Sequence, residues 1–203
     1  MRPDPHPYYH QAKFLTSCAQ LLQLPPDQGA EVAFVGRSNA GKSSALNAIT
    51  GQRQLARVAK LPGRTQLINL FTLDPIRRLA DLPGYGYARV SDAMQRHWQN
   101  LIEGYLQRRH CLQGLVLVMD IRHALTAQDQ QLLGWAAERG LPAHALLTKA
   151  DKLSFGAAKN TLLQVTKELA GTSVTAQIFS ATSYQGVAEL HQQMDTWLGR
   201  FKR

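Results

Sequence analysis

Apolar and polar positions fall along this chain in blocks of two kinds. Residues 31–36, 115–120, 145–148 and 177–180 are short, nearly unbroken apolar runs of strand length. Residues 67–73 and 76–81 read as two more strands joined at Asp74-Pro75, a two-residue connection that requires an antiparallel pair. Helical spacing predicts a helix opening at 42–50 and a second at 93–109, where Met94, His97, Trp98, Leu101, Ile102 and Tyr105 form one stripe. Three further helices are predicted near 127–139, 156–170 and 185–199. Strands alternating with helices, the strands apolar throughout, imply an α/β fold: a mixed, mostly parallel six-stranded sheet with helices on both faces.

The first residues, to about Tyr9, are rich in Pro and His and predict no regular structure. Ala12, Leu15, Ala19 and Leu22 recur near helical spacing, which predicts a short helix over 11–24, ended by Pro25-Pro26-Asp27-Gln28-Gly29. Residues 1–28 thus read as an N-terminal extension with a short helix and 29–200 as one α/β domain, a division suited to a chain of 203 residues. No repeat and no low-complexity segment interrupts it.

The first chemistry lies between the strand ending at Gly36 and the helix after it. Gly36-Arg37-Ser38-Asn39-Ala40-Gly41-Lys42-Ser43 fits G-x-x-x-x-G-K-[ST]. Its glycines let the backbone curl round a phosphate with N–H groups aimed inward, and the helix adds its positive end. Lys42 would reach the outer phosphates, and the Ser43 hydroxyl would ligate Mg2+.

Three later segments narrow the ligand. Asp81-Leu82-Pro83-Gly84 ends a strand as D-x-x-G; Asp81 would hold Mg2+ through water and the Gly84 N–H would face a γ-phosphate. Thr65, after Pro62-Gly63-Arg64, is placed to give Mg2+ a hydroxyl only when that phosphate is present. Thr148-Lys149-Ala150-Asp151 ends another strand as T-K-x-D. A carboxylate there can accept from guanine N1–H and the 2-amino group, a pair adenine lacks. Phe179-Ser180-Ala181 follows the last strand, where a backbone N–H can meet guanine O6. Together these elements predict GTP rather than ATP.

Charge and cysteine usage bear on partners. Lys and Arg number 23 against 14 Asp and Glu, a net +9, and residues 52–112 hold ten basic side chains against four acidic ones. Such an excess suits a polyanion such as RNA, although a basic surface that serves solubility alone would have the same composition. Two cysteines, Cys18 and Cys111, without zinc-type spacing fit a reducing cytoplasm. The N-terminus lacks the apolar core of a signal peptide, and no apolar run approaches the about 20 residues of a membrane span, so no membrane insertion is expected.

These segments, with Ser44, Gln66, the run Tyr85-Gly86-Tyr87-Ala88 that extends D-x-x-G, and Asp120-Ile121-Arg122-His123, resemble the bacterial EngB (YihA/YsxC) family of Ras-like P-loop GTPases. The resemblance implies a GTPase that assists assembly of the large ribosomal subunit and is needed for normal cell division and septation. It implies GTP contacts at Gly36, Arg37, Ser38, Asn39, Ala40, Gly41, Lys42, Ser43 and Ser44, at Gly63, Arg64, Thr65, Gln66 and Leu67, at Asp81, Leu82, Pro83 and Gly84, at Thr148, Lys149, Ala150 and Asp151, and at Phe179, Ser180 and Ala181. It implies Mg2+ on Ser43 and Thr65. A monomer is expected. The alternative is a cell-division adaptor GTPase that does not act on the ribosome.

The catalytic residues stay open. Lys42, Thr65 and Gly84 are candidates to stabilise the reacting phosphate, but Tyr85 stands where Ras-like enzymes carry a water-orienting Gln. Slow hydrolysis is therefore expected until a partner orders the switch loops. Asn39 could ligate a K+ ion that supplies the missing charge, or serve only as a turn residue. Tyr85, Tyr87, Arg89 and Arg96 interleave aromatic and cationic groups and are the candidate RNA or partner contacts, while Trp98, on the apolar stripe, is expected in the core.

Overall fold

A computed structural model describes residues 4–55, 67–86 and 91–200. The elements run α1 (Pro7–His10), β1 (Lys13–Cys18), β2 (Ala30–Gly36), α2 (Lys42–Thr50), β3 (Ile68–Thr72), β4 (Arg77–Asp81), α3 (Asp92–Arg108), β5 (Leu112–Asp120), α4 (Ala127–Glu138), β6 (Ala143–Thr148), α5 (Phe155–Glu168), β7 (Thr175–Ile178) and α6 (Val187–Trp197). One mixed sheet orders the strands β1-β3-β4-β2-β5-β6-β7. β4, β2, β5, β6 and β7 are mutually parallel; β3 is antiparallel to β4 and β1 to β3.

Period-two alternation in the central strands builds two cores. Ala33 and Val35 of β2, with Leu115, Leu117 and Met119 of β5, face α3, α4 and α5. Val32 and Phe34, with Val116 and Val118, face α1, α2 and α6. A strand covered on both sides must be apolar at every position, which is why these runs are unbroken. Ser91, Thr126 and Ser154 cap α3, α4 and α5 with their hydroxyls. The helix α2 differs: it begins at Gly41 with no side-chain cap, so its first N–H groups are left for a ligand.

The N-terminal expectations are corrected. Residues 11–24 do not form the expected helix, only a single 3-10 turn at Leu21–Gln23; Lys13–Cys18 is the seventh strand, paired antiparallel with β3. The supposed stripe shares no buried face: Ala12 is buried, but Leu15 is 45% and Leu22 96% exposed. Phe14 and β-branched Thr16 suit a pleated edge, and pairing with β3 satisfies the backbone in a way a short isolated helix could not. Residues 7–10 also take regular structure where none was expected. Pro7–His10 is a short helix whose Tyr9 is fully buried, stacks on His191 at 4.4 Å and donates to Asp195 at 2.7 Å.

The foot of β2 is anchored by charge. Glu31, fully buried, accepts from Arg78 at 3.0 Å, from Arg109 at 3.1 Å through two nitrogens, and from the Tyr105 hydroxyl. Arg109 also donates to the Pro25 carbonyl at 2.8 Å. Burying two guanidiniums is tolerable only because a carboxylate sits between them.

Candidate nucleotide-binding site

Because β2, β4, β5, β6 and β7 are parallel, their carboxyl ends share one end of the sheet, where ligands bind in open α/β folds. Gly36, Asp81, Asp120, Thr148 and Phe179 all fall there. β3 starts at that end too, because Asn69 pairs with Asp81.

The phosphate loop leaves β2 at Gly36, where a Cβ would lie 2.4 Å from the Val118 carbonyl oxygen, so only glycine passes. Asn39 (φ 64) and Gly41 (φ 96) turn the chain through left-handed geometry into α2. Arg37, Ser38, Asn39, Gly41, Lys42, Ser43, Ser44, Gly84 and Lys149 line a pocket of about 540 Å³. Backbone N–H groups at a helix start, two lysines and three serine hydroxyls suit a polyphosphate. The Lys42 ammonium pairs with the Asp81 carboxylate, whose side chain is 3% exposed. Each is the other's counter-ion here.

The T-K-x-D segment is locked onto this loop. Thr148 Oγ1 donates to the carbonyls of Ala40 and, at 2.9 Å, Met119. Lys149 (φ 58) donates to the Asn39 carbonyl at 2.6 Å and pairs with Asp120 at 3.0 Å. The Arg122 guanidinium, with Lys149, holds the Asp120 carboxyl below the ordinary carboxylate range. Ser180 Oγ donates to Asp151 Oδ1 at 2.7 Å, which keeps Asp151 ionised at lower pH than usual. The Ala150 N–H donates to the Phe179 carbonyl at 3.2 Å. The T-K-x-D and Phe179-Ser180-Ala181 segments, 28 or more residues apart in sequence, thus form one rim.

Comparison with known proteins bears on the same residues. A family model described as 50S ribosome-binding GTPase matches residues 31–149. The probable GTP-binding protein EngB of Coxiella burnetii (strain CbuG_Q212) is 53% identical over 193 residues, 94% of each chain. That of Xanthomonas euvesicatoria pv. vesicatoria (strain 85-10) is 57% identical over 192 residues, 93% of each. This chain belongs to the EngB family of P-loop GTPases. A crystal structure of a probable GTP-binding protein EngB shares the fold with TM-score 0.69 at 19% identity, covering 85% of this chain and 100% of that one. Era, in complex with MgGDPNP and 16S ribosomal RNA nucleotides, matches with TM-score 0.60 at 19% identity, covering 84% and 57%. At those identities the likeness is one of fold.

Not every expected EngB-type site residue can be placed. Gly63, Arg64, Thr65 and Gln66 lie outside the described residues, as do Tyr87 and Arg89. Leu67 and the phosphate-loop, D-x-x-G, T-K-x-D and Ser180 groups are described and stand at the same end of the sheet. Tyr85 requires a correction. It is 2% exposed, its ring 5.4 Å from Trp98 and its hydroxyl bonded to Asp129, so it is not available to RNA or a partner. A phenol can bury its ring and still satisfy its oxygen, which alternating aromatic and basic residues did not reveal. Arg96 is exposed, and Trp98 is core, 3% exposed, as expected.

The basic excess over residues 52–112 also shrinks as a surface argument. Arg78 and Arg109 are buried on Glu31, and Arg77 pairs with Asp74 at 3.0 Å. Among the described residues of that segment, Arg53, Arg96 and Arg108 remain exposed. The sequence reading missed the Lys42–Asp81 and Lys149–Asp120 pairs and the Tyr85–Asp129 contact. The one signal for them was Asp120 and Asp81 at the ends of apolar strands, where a charge must find a partner nearby.

Proposed function

We propose that this chain binds GTP with Mg2+ and hydrolyses it slowly, as a nucleotide-gated switch in assembly of the large ribosomal subunit in the cytoplasm. What carries the reading is the joint between the base-selecting and phosphate loops: Thr148 and Lys149 hold Ala40 and Asn39, so Asp151 stands at a set offset from the phosphate pocket. A guanine accepted by Asp151 then directs its phosphates over Lys42.

The donors fit Mg2+. Ser43 would supply a hydroxyl directly and Asp81, beside the pocket, a carboxylate that would hold the ion through water, hard oxygens of the kind Mg2+ takes when phosphates and water complete its shell. Thr65 would add a second hydroxyl. When bound, the ion neutralises charge on the β- and γ-phosphates. The chain's own groups bind the base, direct Lys42 to the phosphates and present the Gly84 N–H. A K+ ion on Asn39 would add the charge that no Gln after D-x-x-G assists; equal hydrolysis rates in KCl and NaCl would exclude it. Exposed Arg96, with Tyr87 and Arg89, would contact rRNA.

The ribosomal reading is supported by the family model's description and tested by sedimentation. The protein with a non-hydrolysable GTP analogue should travel with large-subunit precursors, release with GDP, and weaken as salt rises. Salt-insensitive or nucleotide-insensitive sedimentation, or none, overturns it, and a division partner without ribosome binding would favour the adaptor instead.

A further inference from the structure

We infer that Asp129, on α4, is a positioning residue for GTP hydrolysis: by accepting the Tyr85 hydroxyl it holds Gly84 at the phosphate pocket. The inference rests on the GTPase reading above.

The residue after D-x-x-G is where a Ras-like enzyme presents its water-orienting side chain. Here that side chain turns inward. Tyr85 is buried against Trp98, and its hydroxyl donates to Asp129 Oδ1 across 44 residues of sequence. Its main chain is held as well: Ser38 N–H donates to the Tyr85 carbonyl at 2.6 Å, and Tyr85 N–H to the Gly36 carbonyl at 3.4 Å. On the other side of Gly84, the Trp98 indole donates to the Pro83 carbonyl at 2.9 Å. Gly84, which lines the phosphate pocket, is therefore flanked by anchors to α3, α4 and the phosphate loop.

Asp129 has more to do than cap a helix. Its Oδ2 accepts from Thr126 N–H at 2.7 Å and Thr126 Oγ1 at 2.8 Å, which closes the capping box of α4. One oxygen suffices for that. The other is buried and points at Tyr85; Asp129 is 2% exposed. A Phe would fill the same core, so the hydroxyl and the second carboxylate oxygen matter only as a link between them. The link fixes where the Gly84 N–H points before a γ-phosphate arrives, which is how a preset donor stabilises developing charge. Tyr85 itself is turned away from the pocket and orients no water.

The test compares wild type with Tyr85→Phe, Asp129→Ala, their double variant and Thr126→Ala. Single-turnover GTP hydrolysis, GTP-analogue and GDP affinities and melting temperature are measured on each. Tyr85→Phe and Asp129→Ala should each slow hydrolysis about tenfold or more, the scale of one hydrogen bond to a charged group. GDP affinity should stay within about twofold, because the guanine rim and phosphate loop are intact, while GTP-analogue affinity should fall relative to GDP. The double variant should be no slower than the slower single one, since both break one link. Thr126→Ala, which breaks only the cap, should lower the melting temperature and leave hydrolysis unchanged. Wild-type hydrolysis by Tyr85→Phe overturns the inference. So does a rate loss in Thr126→Ala equal to that in Asp129→Ala, or loss of GDP affinity in step with rate. A wild-type protein that binds GTP but never cleaves it overturns the GTPase reading, and this inference with it.

Discussion

Replacing Glu31 by alanine removes the carboxylate that sits between two buried guanidiniums. Arg109 is 5% and Arg78 9% exposed, and both use Glu31 as their anionic partner at 3.0–3.1 Å. After the change Arg78 retains the neutral Gln28 carbonyl at 2.5 Å, and Arg109 keeps the Pro25 carbonyl at 2.8 Å with the partly exposed Asp27 carboxylate farther off at 3.9 Å, so the buried charge is poorly compensated. The Tyr105 hydroxyl loses its acceptor too. Breaking a buried pair in this way costs about 3–5 kcal/mol, most of it the penalty of the charges left behind. For a chain of this size each kcal/mol moves the midpoint about 2–4 °C, so Glu31→Ala should melt roughly 6–20 °C below wild type. Calorimetry without nucleotide reads it directly. Arg122→Ala removes a 44% exposed partner of Asp120 and is the contrasting control, expected to shift the midpoint hardly at all. A drop below about 2 °C for Glu31→Ala, or one no larger than for Arg122→Ala, would show that the cluster does not anchor β2.

Further outcomes follow from the site and the buried titratable groups. Asp151→Asn exchanges a two-acceptor carboxylate for a group with one acceptor and a donor, so GTP affinity should fall about a hundredfold or more while xanthosine triphosphate gains; calorimetric titration with both nucleotides checks it, and unchanged GTP binding would refute the guanine reading. Lys42→Ala should abolish triphosphate binding and also destabilise the empty protein by about 3 kcal/mol, because Asp81 is left buried without its counter-ion. Melting without nucleotide separates the two effects, and an unchanged midpoint would refute the second. Burial lowers His144 and His191 to about 4 from 6.5. The unfolded chain therefore binds more protons as pH falls from 6.5 to 4, and stability should drop over that window by up to about 3 kcal/mol per histidine. A melting profile flat between those limits would contradict this, and His144→Gln should shallow the slope.

The order of strands and helices, both faces of the sheet and the chemistry at its carboxyl end are carried by local pattern. Unbroken apolar runs can only be doubly covered strands, and glycine spacing before Lys42 can be read because backbone curvature depends on nearby residues. The edge was different. Lys13–Cys18 became a strand because β3 offered a pairing partner, and nothing in residues 11–24 announces that partner 50 or more residues away. The same limit hid Tyr85. Beside Gly86 and Tyr87 it reads as surface, and only the packing of α3 and α4 against the sheet brings Trp98 and Asp129 to it.

The basic charge shows the division most clearly. Composition counts Arg78 and Arg109 with the rest, while the folded chain removes them from solvent onto Glu31. Sequence alone was enough to propose which groups would meet phosphate and guanine, because each motif places its donors within a few bonds of one another. Tertiary structure decided which charges and aromatics are free to meet a partner and which are taken up inside the fold, because that depends on what packs against them from distant parts of the chain.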